Sequence, residues 1–282
     1  MASLSYTLNC PPYETNQNLN AETVPLCTGP PTREELLVHY PAKFTWQQLK
    51  TFVNSGDLGL LKRDRALQRR YDDWAVGIKE QYGSVVNYLT NYRLRWGQPD
   101  TLSLLKSTLI DNNYDDINSS DSNGVPPNQP PPYFCWETPK EYLSIIQNDW
   151  PYSVPPEVEH TLIWTKVPIY HPDLVDESIK VRIDQDGLWG FTGTDTPPPS
   201  PSNLPVCLPA LAEWCVTQDK MIASAPPTEK ERVLIEKAGS EVHRYVRNRW
   251  DEKVWETAWF VNPPRLQSVP KLAHIHVFAR KK

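Results

Sequence analysis

The chain has 282 residues, of which 39% are hydrophobic and 22% charged, and its formal net charge is −5. This composition is typical of a globular protein and excludes a disordered chain. The negative charge and the lack of long lysine or arginine runs argue against a nucleic-acid-binding surface, and no apolar run approaches the roughly 20 residues of a membrane helix. The sequence therefore predicts neither nucleic acid nor a membrane as a partner.

The cysteines give no sign of a framework. There are five of them, an odd number, and no two have the CxxC spacing of a zinc ribbon. The first twenty residues lack the basic and apolar regions of a secretory signal peptide. These features predict a reduced compartment, with the cytoplasm favoured and the nucleus as an alternative.

Composition also divides the chain into regions. Residues 1–30 are polar and punctuated by prolines, which predicts a mobile arm. Residues 31–282 are predicted to form a single α+β domain. Within it, residues 111–132 read as a polar insertion and residues 194–205 as a proline-rich loop.

The N-terminal half has the pattern of helices. Two short helices are each opened by a capping box, Thr32 with Glu35 and Thr45 with Gln48. The stretch RDRALQRRYDDWAVGIKEQYGSVVNYLTNYRLRW carries an apolar residue every three or four positions, which predicts a long helix that Gly83 breaks. The basic residues of LKRDRALQRR are assigned to the solvated face of this helix.

The second half changes from helical to strand-like patterns. ETPKEYLSIIQNDW is predicted to be a helix with Thr138 as its N-cap. EVEHTLIWTKVPI and ESIKVRIDQDGLWGF are predicted strands, the second containing a turn at Asp186 and Gly187. A long helix capped by Thr228 follows, and WETAWFV and LAHIHVFAR are the last two strands. The sum predicts an α+β fold, with a helical N-terminal half packed on an antiparallel sheet that one long helix crosses.

The last strand carries the candidate catalytic residues, His274 and His276. Residues two apart on a strand face the same way and lie roughly 6–7 Å apart, so both imidazoles point to one face. Imidazole can act as nucleophile, acid or base near neutral pH. Nearby groups suited to holding phosphate oxygens are Asn262, Arg265, Gln267 and Ser268.

Three interpretations of this histidine pair stay open. The rings can be hydrogen-bonded members of a buried sheet, part of a phosphate site, or ligands of a metal. A metal needs a third ligand, for which His160 and His243 are the available histidines. Metal binding ranks last, and the sequence predicts no metal and no cofactor.

The order QSV…HIHVFARK resembles the signature of the histidine-triad superfamily, in which a Gln-(Ser/Thr)-Val element leads into a strand with three alternating histidines. The middle histidine of that triad attacks a nucleotide α-phosphate. The match places His274 on this nucleophile and His276 on the last histidine, while Leu272 stands at the first. The spacing from Gln267 to His274 is one residue longer than in the superfamily. The resemblance implies a histidine-triad-like C-terminal half.

A second resemblance covers more of the chain. YGSVVNYLTNYRLRW, NDWPYSVPPEVEHTLIWTK, GLWGF and WETAWFVNPPRLQSVPKLAHIHVF, in this order, are similar to a fungal family of unknown function that includes an N-acetylglucosamine-induced protein. The resemblance implies an intracellular fungal protein whose relatives respond to N-acetylglucosamine. It implies no established reaction.

Together these observations suggest a ligand that is a nucleotide or a sugar-phosphate ester. His274 would form a phospho- or nucleotidyl-histidine intermediate that water resolves, and His276 would support it. The alternatives are a non-catalytic binding or scaffold protein with a degenerate site, and a metal-dependent enzyme. The sequence names no protein partner.

Overall fold

The computed structural model describes residues 19–109, 130–222, 224–267, 269 and 272–282. Most of the predicted arm and most of the predicted insertion lie outside these residues, as does Ser268. Every statement below concerns the described part of the chain.

The first two helices begin where the capping boxes place them. Helix α1 spans Arg33–His39 and helix α2 spans Trp46–Ser55. The hydroxyls of Thr32 and Thr45 accept hydrogen bonds from the third backbone N–H of their helices, and the third side chain of each helix bonds back to the cap. Both predicted capping boxes are confirmed.

The long N-terminal helix is broken at the predicted glycine. Helix α3 spans Arg65–Tyr82 and ends at Gly83, whose φ of 77° lies in the left-handed region that favours glycine. Helix α4, Val85–Tyr88, follows and continues into a π-helical turn at Leu89–Arg93. Gly83 therefore separates two helices that run in different directions.

Five strands form one sheet, in which every neighbouring pair is antiparallel. The strand order is β1-β2-β5-β4-β3, so β5 lies in the middle. The predicted α+β class, with a helical N-terminal half and the strands in the C-terminal half, is confirmed. The strands are β1 Leu143–Gln147, β2 Val158–Thr165, β3 Leu188–Thr192, β4 Trp255–Val261 and β5 Ala273–Lys281.

The remaining helices belong to the C-terminal half. They are α5 Glu177–Asp186, α6 Leu204–Cys207 and α7 Glu229–Arg249. Helix α7 covers one face of the sheet, where Val242 and Val246 share a buried apolar cluster with Ile275 and Val277. On the other face of the sheet, Phe278 and its neighbours pack against α2. The sheet is therefore covered by helices on both faces, and both faces are buried.

The helix predicted to begin at Thr138 is wrong. The structure has one 3₁₀ turn at Lys140–Tyr142, and the chain then enters β1. The Thr138 hydroxyl accepts a hydrogen bond from the backbone N–H of Cys135, so it caps the turn before it. Pairing of β1 with β2 along its whole length satisfies the backbone in place of helical bonds.

The strand predicted across ESIKVRIDQD is also wrong. These residues form α5, whose buried Ile179 and Ile183 are four positions apart and so share one helix face. Asp176 caps its N-terminus, and Gly187 ends it instead of forming a hairpin turn. The strand prediction holds for LWGF, which lies within β3. No helix among the described residues is both long and apolar enough to cross a bilayer.

Replacement of Gly187 by alanine is expected to destabilise the fold by about 1–3 kcal/mol, because its φ of 78° disfavours any side chain. A Cβ there would also lie 2.3 Å from the carbonyl oxygen of Val261 on the neighbouring strand. Urea denaturation of the purified variant measures the loss.

Gly77→Ala is the matched control. Gly77 is exposed in the interior of α3 and a Cβ there meets nothing within 4 Å, so this variant is expected to gain about 0.5–1 kcal/mol. Equal stability of the two variants would contradict the strained turn at Gly187.

Candidate functional site

The two predicted histidines lie on the face of β5 that meets the N-terminal half. Opposite them on β2, Trp164 is in register with His274 and Leu162 with His276. A third histidine, His160, stands on the same face of β2. All three imidazoles are buried, with exposed fractions of 3% for His160, 6% for His274 and 5% for His276.

A cavity of about 90 Å³ lies beside His274 and His276. Its apolar wall includes Val85 of α4 and Leu89 of the π-helical turn. The rest of its lining is mostly aromatic and polar: Arg63, Tyr71, Trp74, Asn148, Asp149, Trp150, Tyr152 and Trp164. The histidines are thus buried but not sealed against one another, because an open volume adjoins both.

His274 keeps one ring nitrogen available. Its Nδ1 lies 3.1 Å from the carbonyl oxygen of Leu272, and a carbonyl only accepts, so Nδ1 carries the hydrogen. Burial lowers the pKa of His274 to about 4, although the bond to Leu272 opposes the shift, and the ring is neutral at pH 7. Nε2 therefore has a free lone pair. The ring stacks on Trp164 with centroids 4.2 Å apart, which fixes its plane.

His276 is the end of a chain of hydrogen bonds. The backbone N–H of Tyr152 donates to Nδ1 of His160 at 3.2 Å, so the hydrogen of His160 is on Nε2. That N–H donates to Nδ1 of His276 at 3.0 Å, which places the hydrogen of His276 on its own Nε2. The amide of Asn262 has its nitrogen placed 3.2 Å from this Nε2, and a half-turn of the amide presents the oxygen that the N–H requires.

Both ring nitrogens of His276 are thus occupied. Its ring also stacks on Phe260, at 4.5 Å between centroids, and on Tyr152, at 5.7 Å. Burial, followed by the nearby His274, His160 and Arg63, lowers the pKa of His276 well below its ordinary value. This imidazole is neutral and fixed, which suits a positioning role better than attack on a substrate.

The other predicted site residues lie behind the histidines or away from them. Asn262 contacts His276, and the side-chain N–H of Gln267 donates to the backbone oxygen of Asn262 at 3.4 Å. Arg265 is exposed and its Nε donates to the backbone oxygen of Gln185. The structure therefore brings Asn262 and Gln267 together with His276, and it leaves Arg265 outside the cavity lining.

The described residues contain no group of three or more histidine, cysteine or acidic side chains placed to hold a metal ion. His160 is engaged with His276, and His243 lies on α7 beside Trp259, on the opposite face of the sheet.

Arg63 is the cavity residue that the sequence reading misplaced. It precedes Asp64, the N-cap of α3, so it lies outside the helix and not on its solvated face. Its Nε and Nη2 donate to the backbone oxygen of Trp150 at 3.1 and 2.9 Å, and its guanidinium lies over Tyr71. Burial lowers the pKa of Arg63 from its ordinary value. The N-cap pattern at Asp64 was the sequence signal for this position.

A buried ion pair holds the wall that contains Leu89. Arg93, at the end of the π-helical turn, donates from Nε to Asp149 at 2.6 Å and from Nη1 to Asp100 at 3.0 Å. Desolvation raises the pKa of Asp149, and the hydrogen bonds from Arg93 oppose that effect. Asp149 borders the cavity, so the wall and the cavity floor are linked by one guanidinium.

Acidification is expected to destabilise the native state through His274. Unfolded histidine takes up a proton near pH 6.5, whereas the native ring does so only near pH 4, so stability is full above 6.5 and falls as the pH drops towards 4. His274 alone accounts for about 3 kcal/mol of this loss. Urea denaturation of wild type and His274→Gln between pH 7.5 and 4.5 measures it.

His171→Gln supplies the control, because this partly exposed histidine lies beside Asp173 at the surface, away from the cavity. Its stability should follow the wild-type pH dependence, whereas His274→Gln should show a flatter one. Parallel curves for all three proteins would contradict a neutral buried His274.

Comparison with known proteins gives a family but no reaction. The model of a family described as protein of unknown function, DUF3605, matches residues 45–185 and 212–280, more than half of the chain. N-acetylglucosamine-induced protein 1 of Candida albicans is 23% identical over 84% of this chain and 68% of its own length. An uncharacterised protein of Saccharomyces cerevisiae, YPL067C, is 23% identical over 82% of this chain and 76% of its own.

Among solved structures, the crystal structure of HTC1 aligns over 84% of this chain and 85% of that chain, with 18% identity and a TM-score of 0.39. The extent of the family match decides the classification. The chain belongs to the DUF3605 family of proteins of unknown function.

Proposed function

We propose that the protein binds a phosphate ester, either a sugar phosphate or a nucleotide, at the cavity beside His274, and that His274 attacks its phosphorus. The observation that carries the proposal is the state of this ring. Its Nδ1–H is held by the carbonyl of Leu272, its pKa of about 4 keeps it neutral, and it borders an open volume. An uncharged imidazole with a free Nε2 is the form that nucleophilic attack requires.

The reaction would proceed in two displacements. Nε2 of His274 forms a bond to phosphorus while the bond from phosphorus to the ester oxygen breaks, and the alcohol leaves after taking a proton from solvent. Water then adds to phosphorus, the P–N bond breaks with its electron pair returning to Nε2, and the proton of the water passes to solvent. Arg63 would offset the negative charge of the phosphoryl group, and His276 would hold β5 and the neighbouring imidazole in place.

The name of the Candida relative refers to induction by N-acetylglucosamine. For this chain it favours a sugar phosphate over a nucleotide as the ligand. We place the protein in the cytoplasm, with the nucleus as the alternative, where either ligand class is present.

A second candidate is binding without catalysis. It is favoured by Leu272, which replaces the first histidine of the triad, and by the occupied nitrogens of His276, which leave no free acid beside His274. The cavity of about 90 Å³ is also far below the roughly 300–1,000 Å³ of most ligand sites. In this alternative the phosphate ester is bound and released unchanged.

Turnover assays separate the two candidates. The purified full chain is incubated with a hexose phosphate, a nucleotide sugar and adenosine phosphoramidate, and product formation is followed by chromatography. Catalysis by His274 predicts product with the wild type and a loss of about 100-fold or more with His274→Gln, because a nucleophile is removed.

His171→Gln should keep the wild-type rate, since this histidine lies outside the cavity lining. Turnover that survives in His274→Gln would remove the catalytic claim. Binding of the same esters without any turnover would establish the second candidate in its place.

A further inference from the structure

Two tryptophans of the cavity lining have indole N–H groups that no acceptor satisfies. Nε1 of Trp150 and Nε1 of Trp164 have no hydrogen-bond partner among the described residues, and their side chains belong to residues only 5% and 4% exposed. A buried donor that has lost its water and gained no partner is costly, and natural proteins leave few of them. Two on the lining of one cavity indicate a missing acceptor.

The same chain provides a comparison. Trp250 and Trp259 also have unpartnered indole N–H groups, but both belong to the apolar cluster beneath α7 and neither lines the cavity. A ligand in the cavity has access to Trp150 and Trp164 alone. The position of these two, and not the lack of a partner by itself, is what points to a ligand.

The charge of the cavity points to an anion. Arg63 lines it and, among the described residues, forms no ion pair; its hydrogen bonds go to the backbone oxygen of Trp150 and to the side chain of Gln68. The one carboxylate in the lining, Asp149, is already paired with Arg93. A buried cation without a counter-charge is stabilised by an anion placed beside it.

His274 adds a requirement of the opposite kind. Its Nε2 accepts and does not donate, because the hydrogen of the neutral ring is on Nδ1. A complementary ligand therefore offers several oxygen acceptors, a negative charge and one O–H group. Hydrogen phosphate and a singly protonated phosphate monoester have all three, whereas sulfate lacks the O–H.

The volume limits what lies inside. One water occupies about 30 Å³ of liquid, so a cavity of about 90 Å³ holds a group the size of a phosphoryl and not a nucleoside. The remainder of any ester must lie outside this volume.

From these features we infer that Arg63, Trp150 and Trp164 form a phosphoryl subsite that selects small phosphomonoesters over nucleotides, with His274 reading the protonated oxygen. The inference rests on the proposed function for the class of ligand. It differs in assigning the phosphate contacts to the N-terminal half and the β1–β2 region, and not to the Gln267 segment.

Isothermal titration calorimetry of the full chain at pH 6.5 tests the subsite, with inorganic phosphate, a hexose 6-phosphate, AMP and sulfate as separate titrants. Phosphate and the hexose phosphate are expected to bind at least about tenfold more tightly than AMP or sulfate. Tighter binding of the hexose phosphate than of free phosphate identifies the ester as the ligand, and the reverse order identifies the free anion.

The variants Trp164→Phe and Trp150→Phe each remove one N–H and keep an aromatic ring in place. Each is expected to weaken phosphate binding by about tenfold, the usual effect of one hydrogen bond to a charged group. Trp250→Phe is the matched control and should bind as the wild type does. Arg63→Gln should abolish binding, and a thermal melt of each variant establishes that it is folded.

The outcomes separate this inference from the catalytic proposal. Phosphate binding that is lost in the two cavity variants, in a protein without turnover, supports the subsite and removes only the nucleophile. Turnover that is unchanged in both cavity variants supports catalysis and overturns the subsite. The subsite is also overturned if the wild type binds no phosphate, or if Trp250→Phe weakens binding as much as the cavity variants do.

Discussion

Strand β5 runs through the middle of the sheet, between β2 and β4, and both faces of the sheet are covered. Alternation along the strand sends Ile275 and Val277 into the apolar core under α7, and it sends the two imidazoles into the layer built by the N-terminal half. A ring in that layer has lost its contact with water. It must therefore find hydrogen-bond partners inside the protein or face an internal volume.

The two imidazoles meet this requirement in different ways. His276 is satisfied at both nitrogens, through His160 on one side and Asn262 on the other. His274 is satisfied at one nitrogen, and the other is left beside the cavity. The difference follows from register: a shift of two residues along β5 exchanges a polar neighbour, His160, for the aromatic face of Trp164. Two identical side chains thus acquire separate capacities from one strand pairing.

Local signals in the sequence predicted much of the fold. The capping boxes, the break at Gly83 and the alternation of the last strand depend on residues a few positions apart, and each was confirmed. The segment after Thr138 was mistaken for a helix because its cap-like residues are equally suited to a turn, and pairing with β2 decided the outcome. α+β folds are often misread at such points, where a long-range pairing competes with a local pattern.

The lining of the site was less accessible to sequence reading. That His274 and His276 share a face followed from spacing, but the bond between His160 and His276 joins residues 116 positions apart, and Arg63 meets Trp150 across 87 positions. No periodicity within one segment contains these contacts. They arise when the helical half is laid over the sheet, which is also why the cavity has walls from both halves of the chain.

The ion pairs of Arg93 have a mechanical consequence for traffic through this interior. Leu89 borders the cavity, and four residues later the backbone is tethered through Arg93 to Asp149 on the far wall. At its other end the segment meets Gly83, where a Cβ would touch nothing within 4 Å and the backbone has unoccupied space. Admission of a guest is then a swing of this short arm about the glycine with its distal end anchored, so the doorway opens on the side nearer Val85.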